Sequence, residues 1–141
     1  MEQPKTVITV AATVNAPIEK VWDYFTQPQH IIQWNHASDD WHCPKAENDL
    51  RIGGKFSSTM AAKDGSFSFD FWGVYDDVLE NELIMYTMGD GRTAKITFAS
   101  NGDITEVVTD FEAEQENSVE LQQGGWQMIL NNFKKDRKSV V

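Results

Sequence analysis

Residues 117–138 read N-S-V-E-L-Q-Q-G-G-W-Q-M-I-L-N-N-F-K-K-D-R-K, and this stretch decides the fold. Trp126, Ile129, Leu130 and Phe133 fall at i, i+3, i+4 and i+7, the spacing that gathers apolar side chains on one helix face. Asn117 and Glu120 stand three apart, as in a capping box, and predict the start of that helix. The basic run at 134–138 falls where the helix dipole favours cations. A helix with one apolar stripe must bury it, so Trp126 is expected on a core face beside Ile129, Leu130 and Phe133.

The preceding sequence supplies the surface. Residues 66–79 place Phe67, Phe69, Phe71, Gly73 and Tyr75 on one face of a strand, with Trp72 and Val74 on the other. Residues 83–88, 93–100 and 105–111 read as three more strands, parted by Asp90-Gly91 and Asn101-Gly102-Asp103. Upstream, residues 55–61 alternate through Phe56, Ser58 and Met60 and end at Asp64-Gly65, a hairpin signal. A short strand is expected near 43–48, turned at Gly53-Gly54. At the start, Ile8, Val10, Ala12 and Val14 alternate against Thr9, Ala11 and Thr13. Asn15-Ala16-Pro17 then offers a capping side chain and a first-turn proline, with Glu19 close behind. Val21, Trp22 and Phe25 share a face of the short helix that Pro28 ends, and a second short helical turn carries Ile31, Ile32 and Trp34. Strands joined by tight turns make an antiparallel sheet, and its open face is the only large apolar surface left for the last helix. The fold class is α+β: a curved antiparallel sheet of about seven strands around a long C-terminal helix, with two short helices after the first strand. With no repeat and no linker, one domain is expected over residues 1–141.

Composition narrows the function classes. At 141 residues and 40% hydrophobic, the chain can build a core without disulfides or structural metal. A net charge of -10 argues against nucleic acid and anionic membrane surfaces as partners. No apolar run approaches the ~20 residues of a membrane span, and the first residues hold no signal core. A single cysteine, Cys43, excludes an intrachain disulfide framework and suits a reducing compartment, so a cytoplasmic location is expected.

Specific residues now carry a resemblance. Ala16-Pro17-Ile18-Glu19-Lys20-Val21-Trp22, then Pro28 and Trp34, resemble the opening of the helix-grip (START-like, SRPBCC) superfamily. Asp49-Leu50-Arg51-Ile52-Gly53-Gly54-Lys55-Phe56 is similar to the D-x-R-x-G-G-x-F turn of the branch named after the activator of Hsp90 ATPase. Gly73-Val74-Tyr75, Tyr86-Thr87, residues 105–109 and Gly125-Trp126 with Leu130 continue the match in order. The resemblance implies a seven-stranded sheet gripping the last helix, often with a cavity for an apolar ligand between them. Two departures stand beside it. Many relatives place a second tryptophan directly after the one matching Trp34, where this chain has Asn35-His36. The co-chaperone that names the branch has a separate N-terminal domain, for which 141 residues leave no room, so an Hsp90-type chaperone is not expected as partner.

Two groups of residues are candidates for chemistry. The segment 36–43 holds His36, Asp39, Asp40, His42 and Cys43. Its spacing matches no standard zinc frame, so no metal is expected. His36 or His42 with Asp39 or Asp40 is the acid–base candidate, and the resemblance implies the pattern of a cyclase, aromatase or hydrolase that uses such groups at a pocket mouth. Cys43 is expected to pack as a small buried hydrophobe. The second group draws on eight phenylalanines, five tryptophans and three tyrosines. Phe56, Phe69, Phe71, Tyr86, Trp126 and Leu130 either fill the core or wall a cavity, and the resemblance tips the reading towards a cavity. Trp34 and Trp41, flanking the irregular segment, are expected at its mouth. Gly53-Gly54 lacks the surroundings of a phosphate loop, and no motif asks for a cofactor. The leading expectation is binding of a small apolar or aromatic molecule, lipid-, polyketide- or flavonoid-like. The alternatives are an enzyme using the same pocket and a chaperone-associated interaction domain.

Overall fold

Alternation in the sequence translates directly into strands with one wet and one dry face. In the computed structural model, which describes residues 6–36 and 38–139, β1 (Val7–Val14) buries Ile8, Val10 and Val14 and turns Thr9 and Thr13 outward. Two short helices follow, α1 (Ile18–Thr26) and α2 (Pro28–Trp34). Six strands come next: β2 (Trp41–Asn48), β3 (Lys55–Ala62), β4 (Ser68–Leu79), β5 (Leu83–Met88), β6 (Thr93–Asn101) and β7 (Ile104–Glu112). The chain then enters α3 (Val119–Ser139). All seven strands form one antiparallel sheet in the order β1-β7-β6-β5-β4-β3-β2. This is the helix-grip arrangement expected above. The side chains of the basic run beyond Lys134, and the first five residues, lie outside the described residues.

The strand order has a consequence for shape. β1 and β2 are neighbours in the chain but occupy opposite edges, so α1 and α2 must carry the backbone across the width of the curled sheet. Thr105 Oγ1 anchors the start of that crossing by donating to the Ala16 carbonyl at 2.9 Å. Free edges invite unwanted pairing. Along β1, α3 satisfies the edge with glutamines: Gln127 Nε2 donates to the Ala11 carbonyl at 2.9 Å, and its Oε1 accepts from the Ala11 N–H at 3.3 Å. β2 instead carries Pro44 and a register shift between His42 and Lys45, which interrupt its pairing pattern.

The helix starts differ from the sequence reading in two places. Asn117 and Glu120 do not form a capping box. The helix begins one residue later, with Ser118 Oγ accepting from the Leu121 N–H at 3.1 Å, while Asn117 turns back and donates from its backbone and side chain to Glu114 Oε1. Asn15 does not cap α1 either. Pro17 is the N-cap, and its carbonyl accepts from the N–H groups of Lys20 and Val21 at 3.1 Å. In both cases a neighbouring residue holds the cap position, so the polar side chain one step away faces elsewhere.

The core lies where the three helices meet the β1–β7–β6 half of the sheet. Phe133 is fully buried, with its ring 5.2 Å from Phe25, 5.2 Å from Trp34 and 5.8 Å from Tyr24, all edge-on. Tyr24, absent from the predicted face of α1, is buried with Val21 and Trp22, while Ile32 of α2 faces outward. At the other end, Asp49 and Arg51 pair across the β2–β3 turn, with Nε 2.9 and 3.0 Å from the carboxylate oxygens. A Cβ on Gly54 would stand 2.0 Å from the Asp49 carbonyl oxygen, so only glycine fits. Gly53 and Gly54 exchange backbone hydrogen bonds with Tyr75, which clamps the turn onto β4.

Candidate functional site

α3 leans towards β1, held by its glutamines, and this leaves the β3–β6 side of the sheet facing open space beneath the helix. The result is a cavity of about 370 Å³. Inward-facing residues of the sheet make one wall: Phe56, Ser58, Met60, Phe71, Tyr75, Ile84, Tyr86 and Ile96. Trp126, Ile129 and Leu130 of α3 make the other, and Phe25, Ile31 and Trp34 close the end under the short helices.

Local backbone chemistry positions this wall. Gly73 on β4 pairs with Phe56 on β3, and a Cβ at Gly73 would lie 2.8 Å from the Phe56 ring and 2.7 Å from the Thr87 carbonyl oxygen. The missing side chain lets the Phe56 ring lie across β4, where it packs 4.7 Å from Tyr86 and 5.3 Å from Tyr75. On the helix side, Trp126 stacks on Phe111 with ring centroids 3.8 Å apart and meets Phe71 edge-on at 6.1 Å. Trp126 is only half-buried, which corrects its expected place in the core. One ring face packs on the sheet, and the residue borders the cavity instead of being enclosed by side chains.

Most of the polar groups on the lining are committed to protein partners. The Tyr75 hydroxyl donates to Asn48 Oδ1 at 2.5 Å, and Asn48 Nδ2 donates to the Thr26 carbonyl at 2.6 Å, which ties β4, β2 and α1 together beside the cavity. Burial pushes the Tyr75 and Tyr86 phenols far above their ordinary pKa, with the Asn48 bond opposing the shift at Tyr75. The Tyr86 hydroxyl makes no hydrogen bond to another described residue. Arg92 reaches the cavity from the β5–β6 turn. Its Nε lies 2.7 Å from Asp90 Oδ2 and its Nη1 donates to the Glu112 carbonyl at 3.1 Å.

Of the eight residues expected at a binding site, Trp34, Phe56, Phe69, Phe71, Tyr86, Trp126 and Leu130 line the cavity. Phe69 does so from the rim, 46% exposed. Trp41 does not line it. The β2 backbone carries its ring to an outer aromatic cluster, about 6 Å from Phe67 and Phe69. Trp34 is less a mouth than a joint, since its Nε1 donates to the Tyr24 carbonyl and its ring stacks on Phe25. The acid–base candidates are not brought to the cavity. Asp39, Asp40 and His42 are exposed, because the segment turns outward before β2 begins. His36 is half-buried away from the lining, its carbonyl accepting from Asn132 Nδ2 and its Nδ1 buried without a partner. Cys43 is buried, and burial pushes its thiol above the ordinary value, as an inert core cysteine requires. Among the described residues, no three His, Cys, Asp or Glu side chains converge as metal ligands.

The sequence reading passed over Asn48, Ile84, Arg92, Ile96 and Ile129 as site residues. Arg92 was findable, because it continues the inward parity of Ala94, Ile96 and Phe98.

This geometry can be set beside known proteins. Residues 15–136 match the family described as Activator of Hsp90 ATPase homolog 1-like protein. The chain belongs to this AHSA1-like family. Its structure is similar to the solution NMR structure of the AHSA1-like protein from Aeromonas hydrophila, at 40% identity and a TM-score of 0.90, over 96% of this chain and 94% of that one. Chr148 from Cytophaga hutchinsonii is 57% identical, with a TM-score of 0.81 over 94% of this chain and 92% of that one. NE0264 from Nitrosomonas europaea, 16% identical with a TM-score of 0.79 over 96% and 97% of the two chains, shares the fold. Comparison with curated proteins gives no match. The AHSA1-like family has the START-like fold, which often binds hydrophobic ligands. No described helix is long and apolar enough to cross a membrane.

Proposed function

We propose that this AHSA1-like chain binds a small apolar or aromatic molecule in the cavity between β3–β6 and α3. The observation that carries the reading is the cavity itself: about 370 Å³ walled by aromatic and aliphatic side chains, within the size range of small-molecule sites. Protein interiors pack tightly, so side chains of this size leave such a space only when the backbone holds them apart. Here α3 is held to one side by Gln127, and the Phe56 ring is held down by the absence of a Gly73 side chain. Burial of a ligand's apolar surface, at roughly 25 cal/mol per Å², supplies the affinity. Neither alternative has comparable support. Segment 36–43, on which the enzyme reading rests, brings none of its acids or bases to the cavity lining, and an interaction domain gives no reason for an unfilled interior.

A thermal-shift screen of flavonoid-, polyketide- and lipid-like molecules tests the proposal. A ligand at 100 times its Kd should add about 2.7 kcal/mol. For a chain this size that raises Tm by roughly 6–10 °C. The shift should vanish in Ile129→Trp, which fills the cavity from the helix side. A hit that keeps its full shift in that variant places the ligand elsewhere and refutes the proposal.

A further inference from the structure

Water and protein compete to satisfy every buried polar group, and an unsatisfied hydroxyl is costly. Most polar groups around the cavity have protein partners: Tyr75 donates to Asn48, Asn48 to the Thr26 carbonyl, and Thr26 Oγ1 to the Trp22 carbonyl. Tyr86 is different. Its side chain is 8% exposed, it lines the cavity, and its hydroxyl has no partner among the described residues. A hydrocarbon filling the cavity would strip water from that hydroxyl and return nothing. A ligand with an acceptor at that point restores the bond.

Charge fixes which acceptor. The charged residues on the lining are Glu47, Glu114 and Arg92. Arg92 is already paired with Asp90 and Glu47 with Lys45, which leaves Glu114 in excess, so the surroundings of the cavity are acidic on balance, as is the chain at -10. A full negative charge on the ligand is opposed there. A cationic group such as an ammonium fails at Tyr86 for another reason, because it has no lone pair with which to accept from the hydroxyl. A neutral oxygen carrying partial negative charge suits both. Resting on the binding reading above, we infer that the cavity selects neutral ligands bearing a carbonyl-type oxygen that accepts a hydrogen bond from Tyr86. Burial holds Tyr86 protonated, so the donor is present at any physiological pH.

Fluorene, 9-fluorenone and fluorene-9-carboxylate share one ring frame and differ at one position, so they separate the terms. Their Kd values are measured at pH 7 against wild type and Tyr86→Phe, with unfolding curves confirming that the variant is folded. Tyr86→Phe should weaken fluorenone about fivefold, the scale of one hydrogen bond, and leave fluorene unchanged or tighter. The carboxylate should bind wild type more weakly than the ketone. Equal effects of Tyr86→Phe on ketone and hydrocarbon, or a carboxylate that binds more tightly than the ketone, overturn the inference and leave the cavity reading standing. Failure of both fluorene and fluorenone to bind wild type overturns the two together. The infrared carbonyl stretch of bound fluorenone gives a readout independent of the variant. It should fall below its value in an apolar solvent, and a stretch equal to that value contradicts the Tyr86 bond.

Discussion

Replacing Phe133 and Trp126 separately with alanine should show that one helical stripe carries two roles. Phe133 is fully buried and wedged edge-on between Tyr24, Phe25 and Trp34, so it joins α3 to both short helices. Large-to-small changes at such sites cost roughly 3–5 kcal/mol. Three ring neighbours at 5.2–5.8 Å put Phe133→Ala near the top of that range, at about 4–5 kcal/mol. Trp126 is half-buried, and one side already borders open space. Its loss removes the stack on Phe111 and part of the buried ring area, about 2 kcal/mol. Urea denaturation with linear extrapolation resolves the difference, because a gap of about 2–3 kcal/mol moves the midpoint by about 1 M or more. Fluorene binding should be impaired by Trp126→Ala despite its milder effect on stability. Equal losses of stability in the two variants would mean that Trp126 is packed on all sides, and would refute the division of the stripe.

Three further outcomes follow from the same geometry. Gly73→Ala should cost roughly 1–3 kcal/mol by overpacking and should weaken fluorene binding, since the new Cβ displaces the Phe56 ring; equilibrium unfolding and titration check both. Raised tyrosine pKa values in the folded state leave stability unaffected below the unfolded value of 10.0, where both states hold the proton, and reduce it as pH climbs above that value. The fall should approach about 1.4 kcal/mol per pH unit for each of Tyr75 and Tyr86, and Tyr75→Phe should flatten it, as urea midpoints between pH 9 and 11 will show. Cys43 should resist iodoacetamide in the native protein and react in denaturant, followed by mass spectrometry; fast native alkylation would contradict its burial.

Period was the legible signal. The apolar run 83–88, closed by the Asp90-Gly91 turn, gives β5 to the residue, and the i, i+3, i+4, i+7 stripe places Phe133 and Leu130 in the core. Where the sequence misled, two physical effects were at work. Caps depend on a single residue of offset, and Asn117 lost its place to Ser118 for that reason. Periodicity also assigns a face without assigning depth. It put Trp126 and Phe133 on one stripe, but only the tilt of α3 towards β1 decides that the first walls a cavity and the second fills the core. Segment 36–43 was the least legible. Its polar residues have no period, and whether they turn inward depends on the α2–β2 connection, which no local pattern specifies. Tyr86 was legible as an inward aromatic, whereas its unpartnered hydroxyl emerges only from the hydrogen bonds around it.

The most direct test of the cavity is a methyl NMR titration with selectively labelled isoleucine δ1 groups. Ile31, Ile84, Ile96 and Ile129 line the cavity from α2, β5, β6 and α3, while Ile52 and Ile104 are exposed and are not part of its lining. On addition of fluorenone, the first group should shift together, with one shared Kd and with ligand NOEs, while Ile52 and Ile104 stay fixed. Shifts confined to Ile52, Ile104 or other exposed methyls, with the four lining residues unmoved, would show that the space between sheet and helix is not a binding site.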